Sequence, residues 1–324
     1  MRIFSSTRWA RSLQVSCLAL LISASLASFQ LLAQAPDKDR RMEHSILPRR
    51  SSSRSARELT SAALKSDGSG WRARIGVLTP DDDTVPESEF WTMAPDGVTV
   101  HAARVPLVNL QSYSDPPGPD DAVGQLARLP LHGIVFAFTT TSYLLGTKGE
   151  QELTARLEKR AKGIPVLLPT VAATEAFRAL GVRRIALIHP PWFDDDVVKK
   201  GVAYFQNQGF EVVHASHMTP ARGVPHPNLG SDVTPAELYE FVRKQTPADA
   251  ECVFIAGNGF RSIGVIAALE EDLGRPVLTG NQVAFWYALR LAGVGAEVDD
   301  YGQVFRIKPK QQKGGAGGST RPPN

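Results

Sequence analysis

The sequence predicts an α/β protein made of two similar parallel-sheet halves related by pseudo-twofold symmetry, with a ligand cleft between them. Two observations carry this expectation. Short apolar runs alternate with amphipathic stretches from about residue 71 to residue 306, the pattern of parallel strands crossed over by helices. Two segments also repeat: Ile134-Val-Phe-Ala-Phe-Thr139 lies over Cys252-Val-Phe-Ile-Ala-Gly257, and Gly163-Ile-Pro-Val-Leu167 over Gly274-Arg-Pro-Val-Leu278. Each Pro-Val-Leu segment runs into a helical stretch that ends in Gly-Val, at Gly181-Val182 and Gly293-Val294. Two copies of a four-strand unit account for this most simply.

Taken in order, strands are expected at Ala73 to Leu78, Val98 to Val105, Gly133 to Phe138, Pro165 to Leu168, Arg184 to Ile188, Phe210 to His214, Cys252 to Ala256 and Pro276 to Leu278. The amphipathic stretches between them include Glu150 to Ala161, Asp195 to Gln208, Pro235 to Lys244 and Ser262 to Leu273. The first half then spans residues 71–172, with 280–306 packing back on it, and the second spans 173–279. Open parallel sheets bind ligands beyond the carboxyl ends of their strands. The loops to inspect are therefore Thr139-Thr-Thr-Ser142 and Gly257-Asn-Gly259.

The ends of the chain read differently. Arg2, Arg8 and Arg11 precede an uncharged stretch from Ser12 to Pro36, the layout of a secretory signal over residues 1–35. Export to the periplasm or beyond is the expectation. The alternatives are an uncleaved membrane anchor, the one route to membrane contact, and a cytoplasmic protein whose true start lies downstream, near Met42. Residues 36–70 read as a flexible linker and 307–324 as a basic disordered tail. The 324-residue chain carries 36 Lys+Arg and 33 Asp+Glu. Residues 75–306, however, hold only 19 basic against 28 acidic side chains, a formal charge of −9. An acidic body does not suit nucleic acid. The two cysteines, Cys17 and Cys252, exclude a disulfide framework and a multi-cysteine metal site.

Five stretches resemble the aspartate/glutamate racemase superfamily, and within it the maleate isomerase and arylmalonate decarboxylase group. They are Arg74-Ile-Gly-Val-Leu-Thr-Pro-Asp-Asp-Asp-Thr84, Phe138-Thr-Thr-Thr-Ser142, Ala179-Leu-Gly-Val-Arg-Arg-Ile-Ala-Leu187, Ile255-Ala-Gly-Asn-Gly-Phe-Arg261 and Gly280-Asn-Gln-Val-Ala-Phe-Trp286. The resemblance implies an isomerase or carboxy-lyase with its active site in the cleft, and a cysteine after the third strand of each half. This chain departs from that pattern at both places. The first cysteine position falls on Thr139 by the strand repeat, or on Thr140 if the register slips by one; the second falls on Gly257. Neither a threonine hydroxyl nor a glycine replaces a thiol, which excludes two-cysteine racemisation. What the resemblance leaves is carboxylate binding by hydroxyls and amides, with Thr140, Thr141, Ser142, Asn258 and Gly259 around an enediolate-like charge. The substrate is then a small carboxylate. A non-catalytic exported protein binding such a ligand is the alternative.

For acid or base chemistry the candidates are His189, at the end of the second half's first strand, and Asp83, last of the run Asp81 to Asp83. Trp192 is expected to wall the pocket, and Arg261, one turn into a helix, to clamp a second carboxylate. Asp194 to Asp196 suit a helix N-terminus. His214, His217 and His226 lack the spacing of a zinc set, and Gly257-Asn-Gly-Phe-Arg-Ser-Ile-Gly264 lacks the third glycine of a dinucleotide loop. No metal, nucleotide or other cofactor is assigned.

Overall fold

The computed structural model describes residues 68–219, 233–295 and 298–307. The expected signal segment, the linker up to residue 67, the tail from residue 308, Cys17 and His226 lie outside these residues. Strands β1 (Ala73–Pro80), β2 (Val98–Val105), β3 (Gly133–Phe136) and β4 (Val166–Leu167) form one parallel sheet in the order β2-β1-β3-β4. Strands β5 (Arg184–His189), β6 (Glu211–His217), β7 (Cys252–Ile255) and β8 (Val277–Thr279) form a second in the order β6-β5-β7-β8. The two sheets thus have one topology. The inner strands β3 and β7 are buried on both faces, which is why they read as unbroken apolar runs without alternation.

Helices α1 (Val85–Met93), α2 (Gly118–Leu126), α3 (Thr139–Arg160) and α4 (Pro169–Leu180) follow the strands of the first sheet, and α5 (Asp195–Asn207), α6 (Pro235–Gln245), α7 (Ile266–Leu273) and α8 (Gly280–Leu291) those of the second. Their ends follow local chemistry. Asp194 accepts from the Val197 amide at the start of α5, α6 and α8 open on capping boxes, Thr234 with Glu237 and Thr279 with Gln282, and α4 stops at Gly181 in a left-handed conformation. Helix α3 breaks at Gly146, where φ is 64°, leaving a short first segment directly after β3. Helices α4 and α8 occupy equivalent places in the two halves and pack on each other. Helix α8 also lies on α1, β3 and β1 of the first half.

The strand register corrects the sequence repeat by one residue. The Ala137 amide donates to Leu78 O, and the Ala256 amide to Ile188 O; Leu78 pairs with Phe136 as Ile188 pairs with Ile255. Ala137 therefore corresponds to Ala256, Phe138 to Gly257 and Thr139 to Asn258. The first-half counterpart of Gly257 is Phe138, neither Thr139 nor Thr140. A strand buried on both faces has no apolar period from which to read its register. The second repeat, Pro-Val-Leu, needs no shift: Val166 and Val277 are equivalent, and so are Thr170 and Asn281. Other differences are at the ends of elements. Strand β6 runs three residues beyond His214 to His217, an edge strand whose half-buried polar side chains hide its length.

One apolar core joins side chains of both sheets and of the helices between them. At its centre Phe177 of α4 lies edge-on to Phe205, Phe210 and Phe254, with ring centroids 5.6, 5.1 and 5.9 Å away. Phe254 is fully buried in β7. Its replacement, Phe254→Ala, is expected to lower stability by about 3–5 kcal/mol through the cavity it leaves, measured as a drop in the denaturant midpoint with an unchanged slope.

Candidate functional site

In a sheet of order 2-1-3-4 the crevice opens between the first and third strands, where the chain turns to opposite sides. The loops there are Asp81 to Thr84 and Phe138 to Ser142 in the first half, and Pro190 to Phe193 and Ala256 to Ser262 in the second. Thr139, Thr140, Thr141 and Ser142 are all buried. Asn258 reaches across to them: its Oδ1 accepts from the Thr139 amide at 2.9 Å and from Thr139 Oγ1 at 2.7 Å. Equivalent residues of the two halves are thus in direct contact, which puts the local twofold axis between them.

The bonding continues away from the axis. Asn258 Nδ2 donates to Asn281 Oδ1 at 2.8 Å, and Asn281 Nδ2 donates to Asn258 O at 2.8 Å and to Glu89 Oε2 at 2.7 Å. Glu89 Oε1 accepts from the amides of Ser262 and Ile263 at 2.8 and 3.2 Å. Burial pushes Glu89 up to about 7, against the opposing pull of these donors. The other half carries a counterpart. Thr170 Oγ1 donates to Ser142 Oγ at 2.6 Å and approaches Glu150 Oε2 at 3.1 Å, and Tyr204 of α5 donates to the same Glu150 carboxylate.

Asp83 reaches the second half. A Cβ added to Gly259 would lie 2.8 Å from Asp83 Oδ2, so the carboxylate lies against the backbone of that loop and glycine leaves room for it. Asp83 Oδ1 accepts from the Val85 amide at 2.9 Å. Burial raises Asp83 to about 6; the Val85 bond opposes this, Asp82 adds to it and Arg104 opposes it. Arg104 is itself engaged by Glu87 at 2.6 Å. Beside this group stands Tyr113, whose ring centroid is 4.2 Å from that of Phe138. Its hydroxyl, together with Thr141 Oγ1 and Ser262 Oγ, is buried with no hydrogen-bond partner among the described residues. Nor does any described acceptor take the Thr140 amide, in the first turn of α3, where no intrahelical acceptor exists.

The remaining expected residues fall differently. His189 does end β5, but it is fully buried. Its Nδ1 meets Ser216 O at 3.1 Å, its Nε2 meets the Tyr143 hydroxyl at 3.4 Å, and its ring stacks on Phe193. Burial lowers it to about 4, so it is neutral at pH 7 and belongs to the core beneath the cleft. Trp192 packs edge-on against Phe260, joining the two second-half loops. Arg261 lies ahead of its helix: a 3-10 turn at Ile263–Val265 intervenes before α7, and the exposed guanidinium donates to Val233 O. Cys252 is buried in β7 with its thiol pushed well up by burial. His214 pairs with Ser216 and His217 with Asp195, and the described residues hold no group of metal-ligating side chains.

Glu89, Asn281 and Tyr113 escaped the sequence reading. A signal for Glu89 existed: it shares the buried stripe of α1 with Pro86, Phe90 and Met93, a carboxylate on the inward face of a short helix.

At Gly257, where the resemblance implies the second cysteine, the backbone disfavours a side chain. Its φ of +91° disfavours every L-residue, and a Cβ there would meet Pro190 Cγ at 2.9 Å. Gly257→Cys is therefore expected to cost roughly 1–3 kcal/mol of stability without creating a thiolate of lowered pKa. Thermal unfolding and the pH dependence of thiol alkylation check both.

Residues 119–305 match the family model described as arylmalonate decarboxylase. The chain is 28% identical over 170 residues to arylmalonate decarboxylase of Bordetella bronchiseptica, covering 52% of this chain and 68% of that protein. Among solved structures it resembles the maleate isomerase Iso of Pseudomonas putida S16 with maleate, at 18% identity and a TM-score of 0.66 over 72% of this chain and 98% of that one. A crystal structure of arylmalonate decarboxylase superposes at 22% identity and a TM-score of 0.59, over 72% and 100%. A maleate cis-trans isomerase of Nocardia farcinica, bearing a covalently bound succinylcysteine intermediate, does so at 19% and 0.64, over 73% and 99%. Both activities belong to the group that the sequence resembled, an isomerase and a carboxy-lyase, and two equivalent sheets meeting at Thr139 and Asn258 are its fold. The chain belongs to the arylmalonate decarboxylase family.

Proposed function

We propose that this member of the family acts at the α-carbon of a small carboxylate through an enediolate, without cysteine, and with Asp83 as the group that moves the proton. The observation that carries this reading is the contact of the Asp83 carboxylate with the Gly259 backbone, beside the buried hydroxyls and amides of Thr139 to Ser142. An ionised Asp83 takes the α-proton, and the electron pair of the C–H bond moves into the substrate carboxylate. The charge on its oxygens is met by the Thr140 amide, the Thr141 hydroxyl and the amides of the Gly257 to Gly259 loop. Protonated Asp83 returns a proton to the same carbon. A malonate that loses carbon dioxide at this carbon reaches the same enediolate, and there the proton comes from an Asp83 that is protonated at the outset, whereas exchange starts from its carboxylate. Trp192 and Phe260 supply an apolar wall for a substituent on that carbon. The sequence of residues 1–35 supports placing this chemistry outside the cytoplasm.

The body's acidity favours groups that act at short range: an anionic substrate approaches a region of net charge −9 and is held by local donors. Substituted malonates and 2-substituted carboxylates incubated in deuterium oxide test the proposal. The 2-substituted carboxylates are expected to take up deuterium at the α-carbon at a rate that rises with pH through about 6 as Asp83 ionises and levels above it, and the malonates to lose carbon dioxide at a rate that falls through the same pH. Asp83→Asn is expected to lower the exchange rate by about 10²-fold or more. Thermal stabilisation by these ligands without exchange or decarboxylation would leave a carboxylate-binding protein and overturn the enzymatic reading.

A further inference from the structure

We propose that Glu89 is a positioning residue that sets the polarity of the site. In its ionised form it accepts hydrogen bonds and donates none, and so, together with the Asn258 carbonyl that also takes Asn281 Nδ2, it holds the amides of Asn281 and Asn258 in the orientation that presents an oxygen to Thr139. The inference rests on the reading of the Thr139 loop as part of the site.

Donors outnumber acceptors at the ends of a buried chain of hydrogen bonds. At one end stands the Thr139 amide and at the other stand the amides of Ser262 and Ile263, all backbone N–H groups that can only donate. Between them lie Asn258, Asn281 and Glu89. Each asparagine passes polarity along, accepting with its oxygen on one side and donating with its nitrogen on the other. Thr139 donates to Asn258, Asn258 to Asn281 and Asn281 to Glu89. A chain whose two ends both donate needs one member that only accepts, and the carboxylate of Glu89 is that member. Its Oε1 serves the Ser262 and Ile263 amides and its Oε2 serves Asn281.

A neutral amide at position 89 cannot close this chain. With its oxygen toward Ser262 and Ile263, its nitrogen confronts Asn281 Nδ2. Turning Asn281 over relieves this only by setting its oxygen against the Asn258 carbonyl and passing the reversal to Asn258, whose NH2 group then faces the Thr139 N–H. In any other arrangement one donor opposes another elsewhere. Glu89, Asn258 and Asn281 are all buried, so water does not relieve the mismatch. Glu89 thus acts on the loop after β3 through two intervening side chains, from a helix of the first half and by way of the second.

The experiment is hydrogen exchange of the Thr139 amide in labelled protein, compared with the amides of Val77 and Val135 in β1 and β3. Glu89→Gln is expected to reduce protection at Thr139 roughly tenfold, the loss of about one hydrogen bond, while the two strand amides keep theirs. The exchange double variant Glu89→Gln with Asn281→Asp restores an acceptor-only group one position along. The amide at 89 donates to the carboxylate at 281, which still accepts from Asn258 Nδ2 but can no longer donate to the Asn258 carbonyl, and protection at Thr139 is expected to recover in part. Unchanged Thr139 protection in Glu89→Gln, or no recovery in the double variant while the strand amides stay protected, overturns the proposal. If Glu89→Gln does not fold, the unaltered protein decides: protection at Thr139, taken relative to Val77 and Val135, is expected to fall as the pH drops through about 7 and Glu89 gains a proton, and a constant ratio contradicts the proposal. Neither measurement uses turnover, so this inference and the proposed reaction can fail separately.

Discussion

The side chain of Asn258 directs both of its amide groups into the seam between the two sheets. Its oxygen takes two hydrogen bonds from Thr139 and its nitrogen gives one to Asn281. A polar group buried in this way is costly when unpaired, by about 1–3 kcal/mol for each donor or acceptor. The loops after β3 and β7 therefore stay together because separating them would leave several such groups without partners. The surrounding apolar core brings the halves into contact through α4 and α8, but it does not determine which loop residues meet. That selection belongs to the polar chain from Thr139 to Glu89, and Asp83 lies against Gly259 in the same loop cluster.

The same seam bears on the pair of cysteines that the resemblance implies, since neither equivalent position carries one. Of the equivalent positions, Phe138 lies on Tyr113 and Gly257 lies under Pro190. One is filled by an aromatic ring and the other has no room for a side chain. The cleft nevertheless keeps the parts that manage charge on a carboxylate: buried hydroxyls, first-turn amides and a glycine loop. It has also gained a carboxyl group whose burial places its titration near neutrality. Proton transfer and charge stabilisation are separable tasks; the proposed reaction assigns the second to the loops and the first to Asp83, just beyond β1.

Much of the fold was legible in the sequence because strand and helix periods are local. All eight strands were expected within a few residues of where they lie, and the order of elements followed from their alternation. Register was not legible. Apolar residues fill both faces of β3 and β7, so sliding one over the other by a residue leaves the pattern almost unchanged, and only the backbone bonds to Leu78 and Ile188 fix it. Site residues divided in a similar way. Asn258, Gly259 and the threonine run are neighbours in sequence of the ends of strands and could be found from topology. Glu89 and Asn281 join the site through contacts with residues 173 and 23 positions away along the chain. His189 was misplaced for the opposite reason: it stands at the correct strand end, but both ring nitrogens are taken up by the core.

The central claim is that a small carboxylate is held where the two post-strand loops meet. Titration of isotope-labelled protein with a substituted malonate, followed through backbone amide resonances, tests it most directly. Saturable shifts of Thr140, Thr141, Ser142, Asn258 and Gly259, with those of the Ser216 and Met218 strand end beside His189 unmoved, are the result this account expects. Shifts centred elsewhere, or none at saturating ligand, would contradict it.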